Sequence, residues 1–185
     1  MLLQNESNVL ARIRVFTVLF IIGLVLSGAT AIPLVTEVDW LTKVTGAREA
    51  LGPAGRTPAW APWLCKVQDA VHLAADKNAF LFYGTDWLAF GHFAIALAFV
   101  GALHDPVRNK WLFTWGMSAC VLLIPYGLVF GHIRGIPFWW RCIDSSFGII
   151  GIIPLWLCRN WTNELEAGKL SSRSSSRLVI SDPWR

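Results

Sequence analysis

Residues 87–131 read WLAFGHFAIALAFVGALHDPVRNKWLFTWGMSACVLLIPYGLVFG. Two apolar runs flank a polar tip, His104 to Lys110. At 1.5 Å per residue, each run is about long enough to cross the roughly 30 Å of a bilayer's hydrocarbon. Pro106 cannot continue a helical hydrogen-bond ladder, so it helps to end the first run. The stretch therefore predicts a hairpin of two membrane-crossing helices, and the rest of the chain can be placed around it.

The composition fits that reading. The 185 residues are 55% hydrophobic and only 15% charged, with a mean hydropathy of +0.50. Soluble domains carry about 25% charged residues. Eleven Trp and eleven Phe against two Tyr suit extensive interfacial and lipid-facing surface. The formal net charge is +4, but no basic stripe interleaved with aromatics is present, which argues against a nucleic-acid partner. The lipid bilayer is the expected partner, with another membrane protein or a second copy of the chain as further candidates.

Outward from the hairpin, two more spans are expected. Residues 1–14 form a polar start, and 15–32 are a continuous apolar run closed by Pro33. Arg12 and Arg14, this run and Ala29-Thr30-Ala31 also outline a secretory leader cleaved after Ala31. Leaders have apolar cores of about 7–15 residues, so the longer run favours a retained helix. The expected spans are thus 15–32, 87–103, 111–131 and 143–158. Pro125 is expected to kink the third.

Region 33–86 is the longest polar interval. Leu64, Val67, Val71 and Ala74 recur at helical spacing and predict a surface helix, and residues 35–50 hold a poorer one. Gly52-Pro53-Ala54-Gly55 predicts a bent connection between them. Trp40, Trp60 and Trp63 suit an amphipathic cap on the membrane surface. Residues 133–141, with Trp139 and Trp140, read as a short interfacial or re-entrant turn. Residues 159–185, serine-rich and basic at Arg173 and Arg177, read as a mobile tail.

Two further patterns bear on packing and orientation. Gly91, Ala94, Ala98, Gly101 and Ala102 share one face of the second span. In lipid, small residues let backbones approach closely, so this stripe is the expected helix–helix seam. Arg12, Arg14, Arg108, Lys110, Arg159, Lys169, Arg173 and Arg177 fall on one side of the four spans. They outnumber Lys43, Arg48, Lys77, Arg134 and Arg141 on the other. The positive-inside rule then puts both termini and the tip in the cytoplasm, and region 33–86 outside.

Ionisable groups at membrane depth are candidates for function because desolvating them is costly. His92 lies about 7–8 Å inside the outer end of its helix. Tyr126 is expected at similar depth, where a His92–Tyr126 hydrogen bond would satisfy both. No cofactor is expected on this reading. The alternative is a haem b or quinone site at His92, with His132 as the one candidate for a second imidazole. Asp86, Arg134, Arg141 and Asp144 are expected at the outer face, as ion pairs or as an anion site built on the arginines. Cys65 and Cys142 both fall on the outer side, where a disulfide can persist. Neither has the adjacent cysteine that thiol exchange requires, so a structural bridge or two free thiols are expected. Cys120 is expected to pack as a small apolar residue, and Ser118 to make an interhelical hydroxyl bond.

Three blocks carry a resemblance: Gly84-Thr-Asp-Trp-Leu-Ala-Phe-Gly-His92, Asp105-Pro-Val-Arg-Asn-Lys110, and Ile133 to Arg141 continuing through Ser146-Phe-Gly148. Together they resemble a group of small bacterial four-helix membrane proteins of no known activity. The resemblance covers roughly residues 80–160, implies a bacterial cytoplasmic membrane, and transfers no catalytic role. The expected fold is all-α and polytopic, with four transmembrane helices and an extracytoplasmic helical cap. The expected role is non-enzymatic, holding a partner or lipid.

Overall fold

The computed structural model describes residues 2–52 and 57–180, with side-chain surroundings over 6–52 and 57–168. Pro53 and Gly55, and the side chains of Lys169, Arg173 and Arg177, lie outside the described residues. Among the described residues the chain is all-helical. The helices are α1 (Leu2–Thr30), α2 (Leu34–Thr45), α3 (Trp60–Lys77), α4 (Tyr83–His104), α5 (Lys110–Ile133) and α6 (Phe138–Ile180), and a 3-10 turn at Ala79–Phe82 leads into α4. Four stretches are long and apolar enough to cross a membrane: Glu6–Thr30, Ala79–His104, Lys110–Ile133 and Phe138–Gly168. The protein is an all-α, multi-pass membrane protein.

The boundaries have local causes. The polar tip is where it was expected, with α4 ending at His104 and α5 starting at Lys110. Asp105 accepts the Arg108 N–H at 3.1 Å, and the Asn109 amide donates back to the carbonyls of Gly101 and Asp105. Gly46 and Gly135 adopt positive φ at the ends of α2 and α5. After Gly46, Ala47 N–H returns to the Thr42 carbonyl; after Gly135, Ile136 N–H returns to the Gly131 carbonyl. Both are helix ends in which a left-handed residue satisfies otherwise orphaned carbonyls.

Several bounds differ from expectation. α1 takes in the polar start because Val9, Ile13 and Thr17 recur every fourth residue and are buried, while Arg12 and Arg14 face out. The expected interfacial turn is shorter: α6 already begins at Phe138, so Trp139 and Trp140 lie on its first turn. α6 does not end at 158. Cys158, Thr162 and Leu165 continue its buried side, and the helix runs on to Ile180.

The chain forms two compact units, one of Met1–Ile22 with Ala96–Arg185 and the other of Gly23–Ile95. In the first, α5 and α6 are antiparallel. Their pairs run from Gly131–Arg141 through Cys120–Gly148 and Gly116–Leu155 to Lys110–Glu166. The α5 residues involved span about 30 Å at 1.5 Å per residue, the thickness of a bilayer core. Phe20, Phe99 and Phe113 stack in the middle, with centroids 4.8 and 6.3 Å apart. α1 crosses α6 at a polar knot, where the Cys158 thiol donates to the Ile13 carbonyl at 3.6 Å and lies 3.8 Å from the Thr17 hydroxyl. Glu6 and Leu10, the tip residues His104 to Val107, and Leu165 line one cleft of about 550 Å³, so these segments share one end of the unit.

In the second unit α2 and α3 form a hairpin, with Thr42, Ala47, Ala61, Leu64 and Cys65 buried. A Cβ on Gly28 would lie 2.9–3.0 Å from Phe93, the Ala89 carbonyl and His92, so the end of α1 packs closely on the start of α4.

Candidate functional site

The tightest helix–helix contact is between α5 and α6, not on the expected α4 stripe. A Cβ on Gly148 would stand 2.6 Å from the Cys120 carbonyl oxygen, and one on Gly151 2.9 Å from its sulfur. On α4, by contrast, Ala94 and Ala98 are exposed, and a Cβ on Gly91 would meet nothing within 4 Å. Gly101 faces only Asn109, at 3.7 Å, and Ala102 alone of the stripe is fully buried. The buried α4 residues are Ala89, Ala96, Phe99 and Ala102. Both faces of α4 carry small residues, and lipid gives no polar–apolar contrast to choose between them, so the bulk of Phe99 and the shape of its neighbours decide.

Near the end of the α5–α6 seam sits Arg141. Its stem occupies the space above Gly131, where a Cβ would come within 2.5 and 2.6 Å of Arg141 Cδ and Cγ. One guanidinium nitrogen, Nη1, donates to the Leu128 carbonyl at 3.0 Å. The guanidinium lies 5.3 Å from the Phe138 ring centroid, within cation–π range. Its Nε is enclosed and has no partner, and one turn deeper the buried Ser145 hydroxyl also has none. Gly127 and Gly131, four residues apart on α5, make the trough that receives both side chains. That small-xxx-small spacing is visible in the sequence, though shorter than the α4 stripe.

The other expected outer-face residues do not join this seat. His132 and Arg134 are exposed, and Asp144 is half-buried. Among the described residues no ion pair involves Arg134, Arg141 or Asp144. Asp86 is exposed on the first turn of α4.

His92 and Tyr126 each find a different neighbour from the one expected. His92 Nδ1 lies 2.8 Å from the Leu88 carbonyl, one turn back on its own helix. A carbonyl only accepts, so Nδ1 carries the proton in this bond, and Nε2 is left without a partner on its own helix. Tyr126 is exposed, and its ring lies 4.4 Å from that of Phe130. Ser118 bonds the Thr114 carbonyl of its own helix rather than crossing to another. Cys65 and Cys142 are both free thiols, one of the two expected outcomes: Cys65 is buried in the α2–α3 hairpin, and Cys142 is exposed on α6. Among the described residues no three His, Cys, Asp or Glu side chains are grouped to hold a metal ion.

A polar network in the α2–α3 hairpin was not anticipated. Asp39 Oδ1 accepts from the Gln68 amide at 2.7 Å and faces His72 Nε2 at 2.7 Å. Gln68 Oε1 accepts two donors from Arg48, which also pairs with Asp69. The bonds from Gln68 and His72 hold the Asp39 carboxyl below its ordinary range, and the bond to Asp69 raises the Arg48 guanidinium. The sequence signal was the spacing of Gln68, Asp69 and His72, which fall on one side of α3. Comparison with family models, curated proteins and solved structures gives no match.

Proposed function

We propose that the chain is a non-enzymatic accessory protein of a bacterial cytoplasmic membrane, one that holds a partner protein or lipid. In this reading both termini and the tip lie in the cytoplasm, the side with more Lys and Arg near the span ends, and the α2–α3 hairpin caps the outer surface. The observation that carries it is the use made of the polar groups in the spans. Thr17, His92, Ser118, Ser146 and Thr162 each bond a carbonyl three or four residues back on their own helix. Bonded to their own helices, these groups do not converge on a reacting atom. Large apolar side chains such as Leu19, Leu97, Leu122 and Ile150 meanwhile face outward, as lipid or a membrane partner requires. Affinity purification from native membranes in mild detergent should recover a stoichiometric protein or lipid companion, and repeated isolation of the bare chain would refute the role.

A second reading, a redox protein with haem b or quinone near His92, has one favourable observation. The bond to Leu88 leaves His92 Nε2 as the basic nitrogen, the form a haem iron would accept. The same purified material decides it. A Soret band abolished by His92→Ala would promote this reading, and a colourless protein would retire its haem form.

A further inference from the structure

Arg141 brings a cation into a membrane-crossing helix, and the described part of the chain offers it no anion. Its neighbours are a neutral carbonyl, at 3.0 Å, and an aromatic ring, at 5.3 Å. No carboxylate pairs with it within 4.0 Å among the described residues, and its Nε is enclosed without an acceptor. Arg141 is only half-buried, so its open side can take an anion from outside the chain, and an unpaired cation beside lipid is costly enough to favour one.

The level of that anion is fixed. Because the Arg141 stem fills the space above Gly131, the side chain is held in one channel and has little freedom to swing into water. The residue lies on the first turn of α6, about 4–5 Å along the axis from Phe138. Trp139 and Trp140 occupy the same turn, and Trp is enriched at the headgroup level of bilayers. The chemistry is also specified: a guanidinium presents a planar fork that matches two oxygens of a phosphate.

We propose that Arg141 binds the phosphate of an anionic phospholipid headgroup at the α5–α6 turn. Inorganic phosphate shares that chemistry, but the surroundings favour the lipid. Phe138 beneath the guanidinium is 64% exposed, and Ile133 at the end of α5 is 65% exposed. An acyl chain would cover such surfaces, whereas a free phosphate would leave them bare. The inference rests on the membrane reading of the previous section but does not require the accessory role.

The test uses the full chain in neutral detergent, with thermal unfolding and native mass spectrometry as readouts. Phosphatidylglycerol should raise the melting temperature above that given by equal phosphatidylcholine, and should remain bound in the gas phase. Arg141→Gln should weaken retention about tenfold, the scale of a lost charge-assisted hydrogen bond. Arg141→Lys, which keeps the charge but not the fork, should fall between. Arg134→Gln should retain the lipid as the parent protein does. Should Arg141→Gln fail to fold, the contrast between the two lipids on the parent protein decides alone. Equal protection by both lipids, or undiminished retention by a folded Arg141→Gln, overturns the proposal. Protection by inorganic phosphate as strong as by phosphatidylglycerol overturns the lipid assignment. A protein companion that still co-purifies with Arg141→Gln would leave the accessory role standing whatever the lipid result.

Discussion

Gly148 shows how much one missing methyl group decides. The Cys120 oxygen that a Cβ would meet at 2.6 Å belongs to the backbone of a packed helix and cannot swing away. Overpacking of this kind costs about 1–3 kcal/mol. Gly148→Ala should therefore lower the melting temperature in detergent by several degrees, on the scale of about 2–4 °C per kcal/mol for a chain of this length. Gly91→Ala is the contrasting change. A Cβ there meets nothing within 4 Å, so the gain in helix propensity, about 1 kcal/mol, should leave the protein as stable or more so. Thermal unfolding of the two variants side by side checks both statements, and a destabilised Gly91→Ala would restore the α4 stripe as the seam. Gly148 and Gly151, three residues apart on α6, are small residues of the kind that lets helices approach closely in lipid. Arg141 was legible as a candidate, but its seat was not, because that depends on Gly131 standing opposite it on another helix.

At the scale of elements, the α2–α3 hairpin is held by polar contacts that only pairing creates. Asp39, on α2, has its carboxyl held low by Gln68 and His72, on α3. A carboxyl whose folded value lies below its unfolded one stabilises the fold above the unfolded value, near pH 4, and loses that contribution as pH falls through the folded value. Amide protection of Leu34–Thr45 should therefore be retained at neutral pH and decline below about pH 4. Asp39→Asn should abolish that acid-dependent decline. Hydrogen exchange measured across this range provides the check; an Asp39→Asn hairpin that loosens with acid as the parent does would dissociate the effect from Asp39. Periodicity revealed α3 as a helix with Leu64, Val67, Val71 and Ala74 as its inner side. Leu64 is buried with Ala61 and Cys65, while Val67, Val71 and Ala74 are half-buried, because the side that carries Gln68 and His72 is the one turned to α2.

At the scale of the molecule, the packing of α1 bears on cleavage at Ala29-Thr30-Ala31. Ile13 and Thr17 of α1 are buried to 0% and 1% exposure, Phe16 meets Trp161 edge-on at 5.3 Å, and Cys158 bonds the Ile13 carbonyl. A leader has no need of such fitted partners, and cutting after Ala31 would strip this core. The mature chain should keep α1: intact-mass analysis of protein isolated from membranes should include residues 2–31, and a mass beginning at Ile32 would refute it.

The sequence by itself determined the solvent and the number of crossings. Run lengths, scarce charges and the His104–Lys110 tip suffice for that, because burying backbone in lipid forces long, apolar, internally bonded helices. Only the tertiary structure decided which sides of those helices meet. Inside a bilayer every face of a span is apolar, so hydropathy carries no phase; a single methyl against a facing carbonyl, as at Gly148, or a glycine opposite an arginine, as at Gly131, sets the pairing instead.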